Sequence, residues 1–163
     1  MKLYIAFFAI LFTGCPSNPH YKPVNWDSEP TPPTQFPPER PKLENDPIQR
    51  LLDLHNEQRG LKGRPNFTID SELNQYAQQW ANNMARRNKL YHSDVGNILA
   101  LNRFYTAGEN IAWNQQTPEE VVNAWMHSEG HRENIMNRQF TKIGFGFAND
   151  TAGEIYWCTV FGG

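Results

Sequence analysis

Ten of the twelve prolines lie between Pro16 and Pro47, with hardly an aliphatic residue among them. Such a segment loses backbone N–H donors every few positions and has no apolar stripe, so it can neither propagate a helix nor bury a core. It reads as an extended, polyproline-like spacer across residues 15–45. Whatever folds must therefore lie in residues 46–163, a stretch of ordinary single-domain size. Most of the aliphatic residues fall there, as do most of the aromatics, which make up 13% of the chain. A core can form without disulfide staples.

Upstream of the spacer, Lys2 precedes an apolar run from Leu3 to Phe12. The run has the length of a signal-peptide core and falls short of the roughly 20 residues a membrane-spanning helix requires. Residues 1–14 are accordingly expected to direct export. Thr13-Gly14-Cys15 resembles the lipobox of bacterial lipoproteins, with Phe12 standing where leucine is usual. That resemblance implies acylation of Cys15 and attachment to a membrane through the lipid, with the proline-rich segment holding the domain clear of it. A simple cleaved signal, giving a secreted product, is the alternative. The formal charge of −2 supplies no basic field for a polyanion, so nucleic acid is not an expected partner.

In the remaining chain, Asp46-Pro47 opens a helix whose inner face carries Ile48, Leu51, Leu52 and His55 and which ends near Gly60. Asp70 or Ser71 caps a second, in which Leu73, Tyr76, Ala77, Trp80, Ala81 and Met84 recur at steps of three and four. Thr117-Pro118-Glu119-Glu120 launches a third through Val121, Val122 and Trp125, with Gly130 as its expected break. A short helical turn through Ile135 and Met136 follows. Ile143, Phe145 and Phe147 then alternate as a strand, Asn149 to Gly153 turns, and Ile155 to Phe161 closes an antiparallel hairpin. Gly144 and Gly146 read as permitting close packing on that strand. Helices first and strands last indicate an α+β layered domain.

Five histidines occur, one of them, His20, in the spacer. His55 completes an inner helical face and reads as a hydrogen-bonded packing residue. His127 and His131 are four apart, but Ser128 stands where a zincin would have its glutamate, and Gly130 interrupts the helix. Cys158, within the closing strand, reads as a buried, inert thiol. The more informative set is distributed: His92 after the second helix, Glu109 in an expected turn Gly108-Glu109-Asn110, and His131.

The wording around these positions resembles the CAP superfamily, which comprises cysteine-rich secretory proteins, antigen 5 proteins and plant pathogenesis-related proteins, and above all their bacterial SCP-like relatives. The resemblance rests on Gly108-Glu109-Asn110-Ile111-Ala112, on Trp125 to Arg132 running on to Asn134-Ile135-Met136, on Ile143-Gly144-Phe145-Gly146 and on Tyr156 to Gly162. His55-Asn56 and Arg59 are similar to the family's opening helix. The resemblance implies a three-layer α-β-α sandwich with a central antiparallel sheet, and a cleft that gathers two histidines and two acidic residues in many members. His92, Glu109 and His131 match three of the four. The second glutamate is replaced by Ser128, three residues after Trp125, which puts the Zn²⁺ affinity of fuller members in question.

Two imidazoles and one carboxylate are a ligand set that leaves a fourth zinc position for water. The same groups, with Ser128, equally make a hydrogen-bonded polar cluster without metal. Two functions follow. One is an exported, non-enzymatic binding module at the cell envelope, taking a lipid, small-molecule or protein ligand in its His/Glu cleft; the other is a metal-dependent hydrolase or protease using His92, Glu109 and His131.

Overall fold

The computed structural model describes residues 46–100 and 103–163. The expected signal, the proline-rich segment and Cys15 lie outside the described residues. Five helices and four strands follow in the order α1 (Pro47–Gly60), β1 (Thr68–Ile69), α2 (Ser71–Arg87), α3 (Gly96–Leu99), β2 (Ala107–Trp113), α4 (Pro118–His127), α5 (Glu129–Met136), β3 (Lys142–Asn149) and β4 (Ile155–Gly162).

Local chemistry sets the helix ends. Asp46 accepts the Ile48 N–H at 3.0 Å before α1, and Asp70 accepts those of Glu72 and Leu73 before α2. Thr117 accepts the Glu120 N–H at 3.2 Å, while the Glu120 carboxylate reaches back to the Gln116 N–H at 2.7 Å. Asn88, with φ of 48°, ends α2 in the left-handed conformation that asparagine tolerates.

The strands form one sheet in the order β1-β3-β4-β2. β3 and β4 pair antiparallel as a hairpin, with Phe145 opposite Thr159, and β2 runs antiparallel to β4 with Glu109 opposite Val160. The sheet is not purely antiparallel, because β1 pairs parallel with β3. α2 and much of the chain intervene between these two strands, and only such a crossover lets neighbours run the same way.

Helices cover both faces of the sheet. On one, α1, α4 and α5 bury Leu51, Val121, Val122, Trp125 and Ile135 against Phe145, Trp157 and Phe161. On the other, α2 buries Leu73, Ala77, Ala81 and Met84 against Ile111, Cys158 and Val160. β4 feeds both cores by alternation, which makes it the central layer of a three-layer sandwich. Tyr76 and Trp80 flank the α2 face rather than fill it, and the Trp80 indole donates to the Tyr91 carbonyl at 2.9 Å.

Gly144 and Gly146 act as their spacing suggested. A Cβ at Gly144 would overlap the Leu73 carbonyl carbon, and one at Gly146 would overlap the Gln78 nitrogen. The main chain of α2 therefore rests directly on β3. Asn74 and Gln78 seal the contact by accepting the N–H groups of Phe145 and Phe147.

Two further features depart from the sequence reading. Gly108-Glu109-Asn110 lies within strand β2 rather than in a turn. The break after α4 comes at Ser128, whose backbone is extended (φ −97°, ψ 127°), and Gly130 sits inside α5. Arg59 is fully buried: its guanidinium donates to the carbonyls of Pro65, Ile135, Asn137 and Phe140 at 2.6–3.2 Å and stacks 3.9 Å above the Phe67 ring. It ties α1 to the end of α5.

Candidate functional site

β2 is an edge strand, and its alternation sends Glu109 toward the α2 face and Asn110 toward the α5 face. The two polar residues at the start of the strand therefore anchor opposite banks of the sheet edge.

On the α2 bank, Glu109 is almost wholly enclosed, with 2% of its side chain exposed against 61% for His92. Oε1 of Glu109 accepts from His92 Nδ1 at 2.8 Å and from the Ser93 N–H at 2.9 Å. The Cys158 thiol donates to Oε2 at 3.7 Å. With Nδ1 donating to the carboxylate, the mostly exposed His92 ring has Nε2 left for a ligand. Burial, and then the neighbouring carboxylate, push the Cys158 thiol well above its ordinary value, so it stays protonated and can only donate. This is the inert thiol read from its strand position.

On the α5 bank, Asn110 is fully buried and donates to the His131 carbonyl at 3.0 Å. Its Oδ1 accepts from Asn134 at 2.9 Å, and Asn134 also reaches the Glu109 carbonyl at 3.2 Å. Two amides thus dock the helix that carries His131 onto the strand that carries Glu109. His131 is half-buried, and its basicity is lowered first by burial and then by the charge of His92.

The structure joins His92 to Glu109 directly and brings His131 within electrostatic reach of His92. Ser128 sits at the α4–α5 junction, its N–H bonded to the Trp125 carbonyl and its carbonyl to the Arg132 N–H. His127 is exposed and donates to the Asn123 carbonyl at 2.8 Å, a helix-end contact. His55 is buried among Trp125, Phe145 and Phe161 with Nδ1 on the Leu51 carbonyl, the packing role its helical face indicated.

The expectation of His92, Glu109 and His131 as three ligands of Zn²⁺ meets a specific obstacle. Glu109 is enclosed, and its Oε1 is already engaged by His92 and the Ser93 N–H. Among the described residues no group of three or more His, Cys, Asp or Glu side chains is placed to hold a metal ion. Glu109 acts on His92, as a carboxylate behind an imidazole does, rather than beside it.

Sequence reasoning missed Ser93, Asn110, Asn134 and Cys158 as supports of this site. The available signal was strand alternation, which would have set Glu109 and Asn110 on opposite faces once residues 107–113 were read as extended.

The small mixed sheet sandwiched by helices is similar to that of solved proteins of the CAP fold. An outer surface protein of Borrelia burgdorferi superposes with a TM-score of 0.63 over 72% of this chain and 95% of that one, at 23% identity. An extracellular SCP-domain protein of Bacillus anthracis str. Ames gives 0.64 over 78% of this chain and 45% of its own, at 28% identity. The model of the CAP, or cysteine-rich secretory protein, family matches residues 52–161, and the chain belongs to that family. YkwD of Bacillus subtilis is 40% identical over 106 residues, which are 61% of this chain but 41% of YkwD. The chain thus spans less than half the length of that relative.

Proposed function

We propose that the chain is an exported binding module of the cell envelope, and that the sheet edge carrying His92 and His131 is its ligand-binding surface. The observation that carries this reading is the commitment of Glu109 to three internal donors while the His92 ring lies open. Glu109 faces protein donors, so it positions the His92 ring and does not itself meet a ligand. What is presented is the exposed His92 ring, oriented by Glu109, with the half-buried His131 within electrostatic reach, an arrangement suited to hydrogen-bonding a ligand.

Export rests on the apolar run Leu3–Phe12, and anchoring on Cys15. The Borrelia and Bacillus anthracis relatives, named as an outer surface and an extracellular protein, support the same placement. No helix among the described residues is long and apolar enough to cross a membrane. Cys15→Ser should move the protein from the membrane to the soluble fraction; unchanged retention speaks against the lipid.

The binding role is tested by passing a native envelope extract over the immobilised full chain and over a His92→Ala/His131→Ala variant. A lipid or protein retained by the parent and lost from the variant is expected. Equal retention on both overturns the reading. So does saturable hydrolysis of ester or peptide substrates that disappears in Glu109→Gln.

A further inference from the structure

Away from the sheet edge, a groove of about 750 Å³ runs between the outer face of α2 and the β3–β4 turn. We propose that it binds a neutral oligosaccharide. Gln79, Asn82, Asn83 and Arg86 form the helical wall at steps of three and four, and Asn149 and Asp150 form the facing wall.

Both walls are built largely of amide groups. Asn82 Oδ1 accepts from Gln78 at 3.1 Å and Asn83 Oδ1 accepts from Arg86, so each amide is left with its NH₂ as the open group. On the other side, Asn149 donates to the Gly153 carbonyl at 3.1 Å, which leaves its Oδ1 and one N–H. Asp150 Oδ1 accepts from Ala152 and Glu154 at 2.8 and 2.9 Å, which leaves Oδ2. Both walls thus offer donors and acceptors, with the Asn82 and Asn83 NH₂ groups facing the Asn149 and Asp150 oxygens and the Thr151 hydroxyl. A hydroxyl both donates and accepts, and a sugar ring carries several at fixed spacing.

Charge and shape narrow the class. Arg86 and Asp150 are the charged lining residues and cancel, which favours a neutral ligand. The methyls of Ala85 and Ala148 supply the apolar lining a pyranose C–H face can rest on. The volume lies within the range of small-molecule sites. Two successive asparagines also make a poor exposed helix face, where alanine, lysine or glutamate would stabilise more.

The test titrates the full chain with tri-N-acetylchitotriose, maltotriose and, as a main-chain probe, tetra-alanine, followed by amide NMR shifts. Saturable binding of at least one sugar is expected, with shifts centred on Asn82, Asn83, Asn149 and Asp150. Asn82→Ala/Asn83→Ala should weaken it about tenfold or more. The double variant should melt no lower than the parent, since alanine is the better helix former. Lack of saturable binding by both sugars, equal binding to the variant, or preference for tetra-alanine overturns the proposal.

Discussion

His55 is a neutral imidazole held in an aromatic enclosure, where burial lowers it from 6.5 to about 4. The unfolded chain therefore binds this proton first as pH falls, and the folded state is the loser. Stability contributed by His55 is complete above pH 6.5 and drains away down to about pH 4, a loss of about 3 kcal/mol. Denaturant melts across that window should show the fall, and His55→Leu should flatten it. Cys158 supplies a second prediction. Its protonated, buried thiol should resist alkylation at pH 8 in the folded chain and label only as denaturant unfolds it, as read by peptide mapping. Arg59 gives a third: Arg59→Met strands buried carbonyls of the α5 end and should cost more than about 3 kcal/mol in denaturant unfolding.

Among the elements, α2 and β3 meet without intervening side chains. Gly144→Ala would place a methyl inside the Leu73 main chain and should destabilise by about 3 kcal/mol. Gly130→Ala, in open space within α5, should instead stabilise by about 0.5–1 kcal/mol, a contrast read directly from thermal melts. The helices and the closing hairpin were legible in the sequence because each carries its own signal, a cap at Asp46, Asp70 or Thr117 and a clean periodicity after it. β2 was not, because Gly108, Glu109 and Asn110 imitate a turn. Their polarity serves the site and not the strand's own stability. The end of α4 was misplaced for a similar reason: the glycine in the first turn of α5 is tolerated there, while an extended serine makes the break. The site itself was partly legible. Spacing alone does not join His92 to Glu109, and it was the family resemblance that selected them. Their supports Ser93 and Cys158 depend on three-dimensional neighbours that no local pattern announces.

At the scale of the molecule, two cores share β4, so neither helical layer has an independent partner. Leu73→Ala on one face and Trp125→Ala on the other should each lower a single cooperative transition, by about 2–5 and 3–5 kcal/mol, with coincident curves by near-ultraviolet and far-ultraviolet circular dichroism. Two separated transitions would mean that the layers unfold apart. The direct seating of α2 on Gly144 and Gly146 carries the last consequence. A helix that touches a strand backbone to backbone has no rotamers through which to roll or slip, so the gap between its outer amides and the hairpin tip is fixed as on a caliper. Binding there would need little reshaping of the protein, and selectivity would follow from how well a guest's length matches that gap.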